Sequence, residues 1–168
     1  MKQIIWMLFV ASLVITSACT NTDRGFFGSK NGTGGLGGFD EIGSAAEGSV
    51  AEFQSAVGDR VLFDVDQSNL NSEAMSLLSN QAQWLISNND YKVVLEGHAD
   101  EQGTREYNLA LGARRANSAK EYLVSLGVSG DRIQTVSYGK ERPIEICSAE
   151  SCYSQNRRAV SVLDNLGF

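Results

Sequence analysis

Histidine is almost missing from this chain of 168 residues: His98 is the only one. A catalytic zinc takes about three protein ligands, and His98 has one acid, Asp100, two residues away. No serine or cysteine nucleophile stands beside it, and no glycine-rich phosphate loop runs into a helix. These gaps argue against metal and nucleophilic catalysis and leave His98 as a satisfied loop or core residue. Basic residues are also few, 14 Lys and Arg against 20 Asp and Glu, for a net charge of −6. That balance opposes the phosphate-neutralising surface that nucleic acid requires, and it gives no electrostatic grip on anionic lipid. The first apolar run, from Ile4 to Ile15, is roughly a dozen residues, short of the ~20 that span a bilayer. Cysteine occurs at Cys19, Cys147 and Cys152 only.

What is present divides the chain into three. Residues 1–18 combine a basic start (Lys2), an apolar core and the small residues Thr16, Ser17 and Ala18, the pattern of a signal peptide. The segment ends at Cys19 and resembles a bacterial lipobox, with Thr16 where Leu is usual. The resemblance implies acyl chains on Cys19, and Thr20 after it implies export to the outer membrane. An ordinary secretory signal with a chance cysteine is the alternative. Each buried methylene of an acyl chain adds about 0.8 kcal/mol, so two or more chains anchor stably. Residues 19–48 are rich in Gly, Ser, Asn and Thr and predict a flexible tether with a reach of about 30 Å. Residues 49–168 form one domain.

Within that domain strand and helix patterns alternate. Val61–Val65 reads as a strand with Val61, Phe63 and Val65 on one face. A helix capped by Asn71 or Ser72 follows, with Ala74, Leu77, Leu78, Ala82, Leu85 and Ile86 at helical spacing. Tyr91–Gly97, Ile133–Tyr138 and Ala159–Leu163 predict three more strands, and a second helix runs from about Thr104 to Leu126, stopping at Gly127. Strands separated by helices predict an α/β two-layer sandwich, helices packed on one face of a four-stranded sheet.

The second helix carries the anomaly. Leu109, Leu111, Ala113, Ala116, Ala119, Tyr122, Leu123 and Leu126 sweep one apolar arc, and Arg115 lies within it with Asn108 nearly in line. A charge facing a core needs partners, because unpaired burial costs several kcal/mol. An acid at a strand end is the expected partner: Asp100 after the second strand, or Asp64 after the first. Asp100 with Arg115 would suit a zwitterion, the acid taking an ammonium and the guanidinium a carboxylate. A purely structural ion pair explains the same residues equally well. Cys147 and Cys152 enclose four residues, a spacing that in an exported protein reads as a local disulfide; a metal pair or free thiols are the alternatives.

Glu96-Gly97-His98-Ala99-Asp100-Glu101-Gln102-Gly103-Thr104, Tyr107-Asn108-Leu109 through Asn117, Val136 to Pro143 and Asn156-Arg157-Arg158-Ala159-Val160 are together closely similar to the peptidoglycan-associated lipoprotein family. The resemblance covers about Val61 to Leu163, a domain shared with outer-membrane protein A and flagellar stator proteins. It implies a mixed sheet in a β-α-β-α-β-β order, no cofactor and no enzymatic activity. It also implies non-covalent binding of peptidoglycan stem peptides at meso-diaminopimelate. By the same resemblance Asp100 takes the ammonium, Arg115 the carboxylate, and Phe63, Asp64, Asn108 and Arg158 line the groove. The implied partners are peptidoglycan, TolB and other Tol proteins, and outer-membrane lipid through Cys19, with a role in constriction at division. Two rivals stay open: a lipid-anchored adaptor whose groove takes a protein partner, and a periplasmic hydrolase using His98 and Asp100.

Overall fold

The structure is a computed structural model that describes residues 45–165. The signal segment, Cys19 and all but the last residues of the expected tether lie outside the described residues. In chain order the elements are α1 (Val50–Glu52), continuing as a π-helical turn Phe53–Val57, β1 (Arg60–Leu62), α2 (Ser72–Ser87), β2 (Tyr91–His98), α3 (Arg105–Ser125), β3 (Ile133–Gly139), α4 (Glu150–Asn156) and β4 (Arg158–Asn165). The sheet order is β1-β4-β2-β3. β4 lies antiparallel to both β1 and β2, while β2 and β3 are parallel. A parallel pair needs a crossover, which α3 supplies.

Alternation along the strands assigns the two sheet faces. Val93 and Leu95 of β2, Ile133 of β3 and Ala159 of β4 are buried in one core with Ala74, Leu78 and Leu85 of α2 and Ala116, Ala119 and Leu123 of α3. Lys92, Val94 and Glu96 alternate with them on the other face and stay half-buried. Helix starts follow from side-chain caps: Asn71 Oδ1 accepts from the Ala74 amide at 2.8 Å, and Thr104 Oγ1 from the Tyr107 amide at 3.2 Å. At the other end of α2, Arg132 donates to the carbonyls of Leu85 (3.0 Å), Asn88 (2.9 Å) and Tyr91 (2.7 Å), serving acceptors that the helix leaves open.

One contact sets how close the second layer lies. A β-carbon on Gly97 would fall 1.9 Å from the Gly112 carbonyl oxygen, and one on Gly112 would fall 2.4 Å from Ser137 Oγ. The glycine pair lets α3 press against β2, and Ser137 Oγ donates to the Leu109 carbonyl across the same seam at 2.6 Å.

Several details differ from the sequence expectations, among them the exposure of Ile86 and Leu126, which were expected on apolar helix faces. The first strand stops at Leu62 rather than Val65; Phe63 still pairs its amide with the Arg157 carbonyl at 2.9 Å, but Asp66 turns left-handed at φ 57°. That turn leaves Val65 54% exposed instead of inside. Leu109, placed on the apolar arc, is 49% exposed, because the tight glycine seam, not leucine packing, forms this stretch of the α3–sheet contact. The segment between Cys147 and β4 is helical, as α4, where a plain loop was expected.

Candidate ligand-binding site

The C-terminal end of β2 and the facing surface of α3 meet at Arg115, which is fully buried. Its guanidinium satisfies the burial with carbonyl oxygens, not with an acid. Nε donates to Gln67 at 2.8 Å, Nη1 to His98 at 2.9 Å and Nη2 to Asp64 at 3.1 Å, while the Phe63 ring lies 5.3 Å away. Two of the carbonyls come from the turn after β1, which explains why that strand ends early: its acceptors are given to the arginine. Burial lowers the Arg115 pKa to about 10, opposed mainly by the nearby charge of Asp100, so the cation persists at neutral pH. Of its five N–H donors, two remain.

The expected Asp100–Arg115 ion pair does not form. Asp100 Oδ2 instead accepts from Arg157 Nη1 at 3.2 Å, and Oδ1 accepts from the Gln102 amide at 3.1 Å. Arg157 also donates from Nε to the Phe63 carbonyl at 3.1 Å and from both terminal nitrogens to Glu150. The physical reason is positional: Arg115 is saturated by the backbone on three sides, whereas Arg157 enters beside Asp100 from the start of β4. Asn108, also buried, donates to the carbonyls of Asp100 (3.3 Å) and Gln102 (2.7 Å) and so fixes the loop after β2.

Above this floor is a cavity of about 260 Å³ lined in part by Asp66, Asp100, Gln102, Tyr107, Asn108 and Leu111. Tyr107 donates its hydroxyl to Asp66, which raises the phenol pKa. Phe63 is buried beneath the site, and the Asp64 side chain is exposed at its edge. The cavity wall carries the carboxylates of Asp66 and Asp100, which suit an amine, while Arg115 does not line the cavity and lies buried behind it.

Arg158 is not brought to this cavity. It alternates with the core residue Ala159 along β4, so it points to the helix-free side and donates to the carbonyls of Asn156 (3.3 Å) and Arg142 (3.1 Å). His98 shares that side. Its ring is 5.6 Å from Tyr138, and neither ring nitrogen has a hydrogen-bond partner among the described residues. Burial, reinforced by the charges of Arg158, Arg142 and Arg60, lowers its pKa to about 4. His98 and Asp100 therefore make no dyad. Cys147 and Cys152 form a disulfide with a Cα separation of 5.8 Å. Among the described residues no group of three or more His, Cys, Asp or Glu could hold a metal ion.

Sequence reasoning missed Arg157, Glu150, Asp66 and Tyr107. For Arg157 a signal existed: two residues before buried Ala159, strand alternation puts it on the Ala159 side and Arg158 on the other.

Residues 62–158 of this two-layer domain match the OmpA family, and the chain belongs to that family. Its relatives point to one branch within it. The chain is 53% identical over 130 residues, 77% of each chain, to the peptidoglycan-associated lipoprotein of Mesorhizobium japonicum. Identity is 54% over 125 residues, 74% of this chain and 71% of the other, with the protein of the same name from Rhizobium meliloti. Among solved structures, the peptidoglycan-associated lipoprotein from Burkholderia pseudomallei superposes with a TM-score of 0.64 at 36% identity, covering 66% of this chain and 96% of that one. The C-terminal domain of Helicobacter pylori MotB shares the fold, with a TM-score of 0.59 at 20% identity over 64% of this chain and 84% of that one.

Proposed function

We propose that this chain is a lipoprotein of the bacterial outer membrane that holds peptidoglycan non-covalently from the periplasmic side. The observation that carries the reading is the fixed arrangement of the Asp100 carboxylate and the buried Arg115 guanidinium at one strand end, beside a cavity of about 260 Å³. A stem peptide containing meso-diaminopimelate offers a matching zwitterion. Asp100 takes its ammonium, and the charge of the buried Arg115 guanidinium behind the wall draws its carboxylate. Asn108 keeps the Asp100 loop in place, Phe63 forms the floor, and Asp64 flanks the entrance. Arg158 supports the loop before α4 from behind instead of touching the ligand.

Cys19 carries the acyl anchor in this reading, and residues 19–48 let the domain reach the wall. The relatives named as peptidoglycan-associated lipoproteins support an envelope location and a binding role without catalysis. In this reading the partners are TolB and other Tol proteins, and the work is to keep the outer membrane on the wall as the cell constricts. Co-sedimentation of the full chain with purified sacculi tests the reading. Wild-type protein pellets with the wall, and Asp100→Asn pellets about tenfold less at equal concentration, the loss of a charge-assisted bond. Equal pelleting of the two proteins would remove Asp100 from the account.

A further inference from the structure

We propose that the disulfide-closed segment from Cys147 to Cys152 is a positioning device for Asp100, and that it sets how tightly the cavity holds an ammonium group. The inference rests on the stem-peptide reading of that cavity. Two arms run from the segment to the loop after β2. In the first, Glu150 binds both terminal nitrogens of Arg157, and Arg157 Nη1 binds Asp100 Oδ2 at 3.2 Å. In the second, Ser148 Oγ and Tyr153 Oη donate to the same Glu101 carboxylate oxygen at 3.0 and 2.8 Å. Consecutive acids of one loop, Asp100 and Glu101, are thus tied to a single closed ring, Glu101 by Ser148 and its neighbour Tyr153 and Asp100 through Arg157 and Glu150.

The charges give the arrangement a purpose. With Glu150 absent, Arg157 would turn its whole charge to Asp100 and compete with any incoming ammonium. With Glu150 in place, two carboxylates share one guanidinium, and one negative charge is left over for the ligand. Glu150 is itself largely exposed, its side chain 65% accessible, and an exposed ion pair on a free loop is worth little. Closing the loop between cysteines five positions apart removes alternative conformations of the chain, and the buried end at Cys152 seats the ring on the domain. Glu150 is then already in place for Arg157 before a ligand arrives, and pre-organisation of this kind strengthens binding. Arg157 and Glu150 are positioning residues: they act through Asp100.

The test compares full-length wild type, a Cys147→Ser/Cys152→Ser double variant and Glu150→Gln, each titrated with a stem peptide containing meso-diaminopimelate. The double variant is expected to bind about fivefold more weakly and Glu150→Gln about threefold, the scale of a partly exposed charge pair. In an Asp100→Asn background both changes should alter affinity by less than about 1.5-fold, since the coupling is routed through Asp100. The Gln102 amide resonance, which reports its bond to Asp100 Oδ1, should move in the double variant without ligand. An unmoved Gln102 resonance, or equal affinity losses in both backgrounds, overturns the proposal. If wild type and Asp100→Asn bind alike, the stem-peptide reading fails instead, and the Gln102 signal still decides whether the segment positions the acid.

Discussion

Arg115 donates to the carbonyl oxygen of His98 at 2.9 Å, two residues before Asp100. The helix-borne cation and the strand-borne acid are therefore set relative to each other through the backbone, with no direct ion pair to be broken when a ligand enters. An Asp–Arg pair in contact would have to separate for each half of a zwitterion to bind. Here Asp100 rests on an arginine already shared with Glu150, and Arg115 rests on neutral carbonyls. Neither charge is neutralised by the other.

The same bonds make Arg115 a structural residue. Arg115→Met removes the buried charge but leaves the carbonyls of Asp64, Gln67 and His98 without their donor. The expected destabilisation is about 3 kcal/mol, comparable to breaking a buried charged network, read as a shift of the urea midpoint at unchanged slope. Arg115→Lys keeps the charge, loses the fork and should fall between wild type and Arg115→Met. A midpoint unchanged in Arg115→Met would mean that the turn after β1 does not depend on this residue.

The glycine seam between β2 and α3 admits no side chain. Gly112→Ala places a methyl 2.4 Å from Ser137 Oγ and 2.8 Å from the Gly97 carbonyl oxygen, so α3 must lift. Overpacking of this kind costs about 1–3 kcal/mol, and a lifted helix also displaces Asn108 and Arg115. Thermal unfolding should show a lower Tm for Gly112→Ala, whereas Ala113→Gly, next along the helix, should cost only about 1 kcal/mol through helix propensity. A neutral Gly112→Ala would contradict the close approach.

His98 gives the domain a pH dependence. Its folded pKa of about 4 lies below the unfolded value near 6.5. The unfolded chain therefore binds the extra proton first as pH falls. The stability associated with neutral His98 is complete above about pH 6.5 and is lost as pH drops through about 4, on the order of 3 kcal/mol in all. NMR titration of the ring should give a midpoint near 4, and His98→Phe should flatten the stability change between pH 6.5 and 4. A ring that titrates near 6.5 in the folded protein would show that burial does not hold it neutral.

Much of the architecture was legible because periodicity and caps are local. The helix cap at Asn71, the helix start near Thr104 and the stop at Gly127 each rest on neighbouring residues. Arg115 was legible as an anomaly, since a charge on an apolar arc stands out in one dimension. Its partners were not: main-chain carbonyls are present at every residue, so nothing in the side-chain sequence marks those of Asp64, Gln67 and His98 as acceptors. For the same reason the end of β1 was placed three residues late. The residue that does answer Asp100, Arg157, lies 57 positions away, and the Arg157–Arg158 pair could be sorted only by knowing which strand face meets the helices.

The most direct measurement is calorimetric titration of the protein with a stem peptide containing meso-diaminopimelate, repeated with the side-chain amine of that residue acetylated. The account predicts that acetylation and Asp100→Asn each weaken binding by about tenfold, and that together they cost little more than either alone, because both remove the same ammonium–carboxylate contact. Additive losses, or an acetylated peptide that binds wild type as well as the free amine does, would contradict it.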